Sequence, residues 1–154
     1  MKKIIPSVVV GIAVTAVAGW TIMPKQMIKE RKSPLGYEET IAKIQQNVVD
    51  SGWIISSTSY LDKSLEKYGK EVPPIALINI CQPDHATTIL KDDSARYISI
   101  MMPCTISVYE KADGNTYVAT MGMKLMGKMF GGLVAEVMGG AVAEEEETFT
   151  QFLN

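Results

Sequence analysis

The segment from Pro74 to Lys111, PIALINICQPDHATTILKDDSARYISIMMPCTISVYEK, constrains this chain more than any other. The run Ile75–Cys81 is apolar almost without alternation, which predicts a central strand covered on both faces. Gln82-Pro83 then opens a helix, proline being favoured at a first helical position, with Ala86, Ile89 and Leu90 turned inward. Asp92-Asp93-Ser94 releases it. From Tyr97 the pattern has period two. Ile98, Ile100, Met102, Cys104, Ile106 and Val108 lie on one side, and Ser99, Thr105, Ser107 and Tyr109 on the other. That alternation predicts one long strand with Cys104 among the core residues. Pro103 cannot donate to a ladder, so it implies an edge position or a bulge. Ala112-Asp113-Gly114-Asn115 is a hairpin turn that returns through TYVATM.

These residues carry a family resemblance. Cys81-Gln82-Pro83, Ala86, Met102-Pro103-Cys104 and Val108-Tyr109-Glu110 resemble the bacterial and archaeal family called domain of unknown function 302. Its members have a strand ending in Cys-x-Pro, an alanine-containing helix, and a Leu/Met-Pro-Cys strand running into Val-x-Tyr-Glu. The similarity covers about residues 36–145. It implies a compact α+β domain that forms a homodimer, and it transfers no catalytic residue.

Upstream, Ser33-Pro34 with Glu38 and Glu39 reads as a helix start, acidic side chains favouring the positive helix end. Tyr37, Ile41, Ile44 and Val48 recur at helical spacing, and Ser51-Gly52 ends the helix. WIISSTS from Trp53 reads as a strand, Tyr60–Tyr68 as a second helix stopped by Gly69. The expected order is α-β-α-β-α-β-β-α: one α+β domain over residues 36–154, its sheet of about four strands packed with helices.

Ahead of that domain, residues 4–23 carry no charge. At about 1.5 Å per residue they reach roughly 30 Å, the hydrocarbon thickness of a bilayer. Residues 1–24 are therefore expected to be a transmembrane signal anchor, with Trp20 near one interface. The competing expectation is a cleaved signal peptide, because Ala16-Val17-Ala18 before Gly19 resembles a processing site, and a soluble exported protein would result. Lys2 and Lys3 on one side face Lys25, Lys29, Arg31 and Lys32 on the other, so charge alone does not orient the segment. The domain is expected outside the cytoplasm, in the periplasm. Residues 25–35 read as a basic tether near lipid headgroups.

The net charge of -2 gives no basic field for nucleic acid, so no nucleic-acid partner is expected. The partners expected are a membrane, a second copy of the chain and a small-molecule ligand of unknown identity. Cys81, His85 and Cys104 are the chemistry-bearing side chains. Thiolate and imidazole bind zinc, copper or haem iron, and Met101, Met102, Met121 and Met123 offer thioethers suited to Cu(I). The spacing is no standard zinc pattern, and buried cysteine behaves as a small hydrophobe. One Cys81–Cys104 disulfide is a further option. Cys81 with His85 is the one nucleophile–base pair. No oxyanion motif, phosphate loop or HExxH sequence accompanies it, so the balance leans away from an enzyme. A non-enzymatic membrane-attached ligand-binding or assembly module leads. A thiol-redox or metal/haem protein using those three residues is the alternative.

Finally, Gly127, Gly131, Ala135, Gly139 and Ala143 recur every fourth residue. A continuous helix would align them as a small-residue stripe for close helix packing, within the domain or between copies. Equally, Gly131-Gly132 and Gly139-Gly140 could simply break the segment at turns.

Overall fold

A computed structural model describes residues 26–153. The anchor expected at residues 1–24 lies outside the described residues. Among the described residues no helix is long and apolar enough to cross a membrane.

Five antiparallel strands form one sheet in the order β1-β5-β4-β3-β2. They are β1 (Ile28–Lys32), β2 (Ile54–Tyr60), β3 (Ile75–Cys81), β4 (Cys104–Glu110) and β5 (Thr116–Met121). The expected sheet of about four strands thus gains a fifth, β1, from the middle of the segment read as a basic tether. It escapes pattern reading because Lys29, Glu30, Arg31 and Lys32 show no apolar alternation. What holds it is pairing with β5, in the register Ile28↔Met121 to Lys32↔Tyr117. Charges on an edge strand also blunt unwanted pairing.

The strand expected to be central, β3, lies one place in from the β2 edge, and it alternates instead of being covered twice. Ala76, Ile78 and Ile80 are buried, while Leu77, Asn79 and Cys81 are half-buried on the opposite face. The register carries the buried set across the sheet to Ile106, Val108 and Val118. Among the described residues, helices cover this face. Helix α1 (Tyr37–Asp50) lays Ile41, Ile44 and Val48 on it. The Glu39 carboxylate accepts from the Gly36 N–H at the helix start (3.3 Å), as in a capping box. The short α2 (Leu61–Glu66) follows β2, and α3 (Pro83–Lys91) follows β3.

The long strand expected from Tyr97 is in fact two pieces. Arg96–Met101 is a 3-10 helix and only Cys104–Glu110 is strand. Ala95 and Ile98 are buried while Ile100 is 88% exposed, so a three-residue spacing competes with the period-two one here. The Asp92 carboxylate tips the choice by accepting from the Ser94 N–H (2.8 Å), turning the chain before the alternation begins. Pro103 therefore precedes β4, and β4 is an inner strand. The hairpin at Gly114 stands as expected: its φ of +73° is the left-handed conformation such turns need.

The last segment is not one helix. It runs as α4 (Met123–Phe130), α5 (Gly132–Glu136), a π-helical turn (Val137–Val142) and α6 (Ala143–Thr150). Gly131 and Gly132, with φ of +71° and +52°, reverse the chain. The reversal lays α4 against the π turn, and Gly127 meets Gly139 backbone to backbone. Of the expected stripe, Gly127 and Gly139 make the close approach, Gly131 makes the turn, and Ala135 is half-buried on α5.

Candidate functional site

The site lies where β3 ends, β4 begins, and α3 and the C-terminal hairpin close over both. Gln82 caps α3: its side-chain oxygen accepts from the backbone N–H of Asp84 (2.6 Å) and His85 (3.0 Å). That cap, with Pro83 at the first helical position, fixes His85 in the first turn. Trp53 follows the Gly52 turn, whose φ of +78° lets the chain reverse after α1. Glu145 stands in the first turn of α6 and joins the two rings. Trp53 Nε1 donates to Glu145 Oε2 (2.6 Å), and His85 Nε2 lies 3.0 Å from Glu145 Oε1. Trp53 is 4% exposed and meets Phe149 edge to face, ring centres 5.6 Å apart.

Beneath this bridge is a nearly apolar cavity of about 30 Å³, lined by Ile80, Cys104, Met102, Ile89, Met138 and Val142 among others. Such a volume has room for one or two water-sized groups. Cys81, His85 and Cys104 all border it, so the structure brings the three sequence candidates together. They are not equivalent. Cys104 is the register partner of Ile80 and belongs to the buried face, whereas Cys81 pairs with Ile54 on the other. Burial pushes the Cys104 thiol up to about 12, helped by the negative charge of Glu146 and by Cys81. A thiol so held is a poor nucleophile and a poor thiolate ligand. Both cysteines are free thiols in the structure. Among the described residues no three of the His, Cys, Asp and Glu side chains are grouped closely enough to hold a metal ion. Of the expected thioethers, Met102 lines the cavity, and Met138, not singled out in the sequence, joins it.

Sequence reasoning missed Glu145 and its neighbour Glu146, both inside a run that looks like a solvated acidic face. Glu146 is buried, and burial raises its carboxyl, with the Thr120 hydroxyl, Lys29 and Arg31 acting in the opposite sense. The one available signal was position: Glu145 and Phe149 fall four residues apart, on the face that meets Trp53.

A single α+β domain, with helices on one face of a five-stranded antiparallel sheet and a small apolar cavity at one end, is the class defined by this geometry. The chain belongs to the family described as domain of unknown function DUF302, whose model matches residues 29–153. A crystal structure of an uncharacterized conserved DUF302 protein from Bacillus stearothermophilus is similar to it. That likeness has a TM-score of 0.72 at 15% sequence identity, covering 83% of this chain and 98% of that one. At that identity it shows the shared fold alone. No curated protein matches this chain. The family match begins earlier and ends later than residues 36–145, and so takes in most of β1 and the whole of α6.

Proposed function

We propose that this protein is a membrane-attached, non-enzymatic module that captures a small, largely apolar ligand beneath Trp53, Glu145 and His85. One observation carries this: an apolar cavity whose polar groups are gathered at the rim, an arrangement common to small-molecule sites. At about 30 Å³ the cavity at rest suits a group of only a few heavy atoms. Met102 and Met138 line it, and their unbranched side chains adjust to a larger guest at small cost. Attachment to the membrane rests on the charge-free residues 4–23, with the domain placed outside the cytoplasm; association of two copies is part of the same proposal.

The test uses the full chain with Trp20→Phe, which leaves Trp53 as the sole tryptophan. Short-chain alcohols, amines and thiols are titrated while Trp53 emission is followed. A saturable change, abolished by filling the cavity with Ala86→Leu, supports capture. If no probe gives saturation, or the change survives Ala86→Leu, the proposal fails.

The thiol or metal alternative is favoured by one fact, that Cys81, His85 and Cys104 share the cavity border. The high thiol pKa of Cys104 places it second. Metal content, visible absorbance and free-thiol titration of the purified full chain separate the two.

A further inference from the structure

Gln26, Gly122 and Leu125 border a groove of about 370 Å³ between β1 and α4. Lys29, Lys124 and Lys128 line that groove. Helix α4 buries Met123 and Gly127, so its opposite side presents Lys124, Leu125, Lys128 and Met129. At the far end of α4, Phe130 packs edge to face on Tyr97, ring centres 6.1 Å apart. Ile100 stands three residues after Tyr97 in a 3-10 helix, a spacing that stacks side chains on one side. Tyr97, Ile100, Met129 and Phe130 are 57%, 88%, 55% and 43% exposed, a corner of apolar surface left open among the described residues. The eight residues of α4 span about 12 Å, so basic groove and apolar corner lie side by side.

We propose that this surface docks on the lipid bilayer, with Lys29, Lys124 and Lys128 on anionic headgroup phosphates and Tyr97, Ile100, Met129 and Phe130 in the interface. Two facts select lipid as the occupant. The charge-free residues 4–23 end just before Gln26, so an anchored chain delivers this surface to the membrane. The surface also pairs cations with apolar side chains within one short helix, matching the phosphate and hydrocarbon layers of a leaflet. A free anion would satisfy the lysines and leave the corner uncovered. Three acidic groups stand against the surface: Glu147 meets Lys29 loosely at 3.5 Å, the buried Glu146 feels the charge of Lys29 from within the domain, and Asp93 is paired with Arg96 at 2.7 Å. The inference rests on the anchored reading of residues 4–23, and its test separates the two.

The full chain carrying Ile100→Cys, with Cys81→Ala and Cys104→Ala, is labelled at position 100 with a polarity-sensitive fluorophore. It is placed one copy per nanodisc, in phosphatidylcholine with or without phosphatidylglycerol, and alkali resistance is measured on the same samples. The expected result is blue-shifted emission in anionic discs, quenched by spin-labelled lipid. Lys124→Gln with Lys128→Gln shifts the docked ratio roughly 30-fold towards undocked, given the usual gain per cation at such a surface. Water-like emission from an alkali-resistant chain overturns docking while the anchor stands. A blue shift seen only with two copies per disc assigns the surface to self-association and also overturns it. If alkali strips the chain, the anchor reading fails, and flotation with anionic vesicles decides docking alone. Flotation lost in the double lysine variant upholds it, and no flotation refutes it.

Discussion

Gly127 is where the C-terminal hairpin is least able to accept another atom, and a single methyl group there tests how the hairpin is held. A Cβ on Gly127 would lie 2.5 Å from the backbone nitrogen of Gly139 and 2.6 Å from its Cα. Carbon atoms in good contact sit about 3.5–4.0 Å apart, so α4 and the π turn would separate by about 1 Å. Backbone cannot rotate away as a side chain can. Overpacking of this kind costs about 1–3 kcal/mol, and an obstruction by main chain belongs at the upper end. Against it stands the helix preference for alanine over glycine, about 1 kcal/mol. Gly127→Ala should therefore destabilise by about 2 kcal/mol. The neighbouring glycines give the control. A Cβ on Gly139 finds its nearest atom at 3.4 Å, and one on Gly140 meets nothing within 4 Å. Gly139→Ala should be near neutral, and Gly140→Ala should stabilise by up to about 1 kcal/mol. Urea unfolding of the full chain in mild detergent, followed by Trp53 with Trp20→Phe, reads all three. With a slope of about 2 kcal/mol per molar, Gly127→Ala lowers the midpoint by about 1 M. A Gly127→Ala midpoint at or above the parent's would refute the close approach as the limiting contact.

Three further outcomes follow from the site. Glu145→Ala removes the acceptor for the buried Trp53 N–H and should cost about 1–3 kcal/mol in urea, with a shift in Trp53 emission. The Cys104 thiol, raised by burial to about 12, contributes stability that is complete below the ordinary value of 9.0 and is lost as pH climbs from there towards 12. The parent should therefore lose about 1 kcal/mol relative to Cys104→Ala by pH 10, and a flat difference would contradict the burial argument. Glu146 is raised above its ordinary 4.5, again chiefly by burial, so its contribution is best in acid and fades as it ionises. Glu146→Gln should stabilise the protein at pH 7 and do progressively less towards pH 4; equal effects at both values would show the carboxylate to be well accommodated.

Legibility in the sequence tracked how strongly each element depends on its own side chains. Helix α1 and the β4–β5 hairpin were readable because Ile41, Ile44 and Val48, and then Asp113-Gly114, encode them locally. β1 was not, since its charged residues are recruited by β5. The 3-10 helix at Tyr97 was hidden because Ile98 and Ile100 satisfy two periods at once, and only the Asp92 turn separates them. At the site, Cys81, His85 and Cys104 drew notice by chemical type. Trp53 and Glu145 could not be paired from sequence, because what joins them is the tertiary fold that returns α6 to the end of α1. An acidic run looks the same whether its members face water or a buried indole.

Among the described residues β1 is the first strand to be made, and it pairs only with β5, the last. Until the chain has been made as far as Met121, Ile28–Lys32 lacks its described partner strand. The sheet can assemble from β2 to β5 through adjacent hairpin-like steps, but closing it requires the longest chain loop between paired strands, and such closures are entropically late. During synthesis the growing domain thus carries an open strand whose charged side chains, Lys29, Glu30, Arg31 and Lys32, discourage pairing with a neighbouring chain. Once Gly122 seats against Gln26, where a Cβ would overlap the Gln26 carbonyl oxygen, the end of β5 is locked to the chain just ahead of β1.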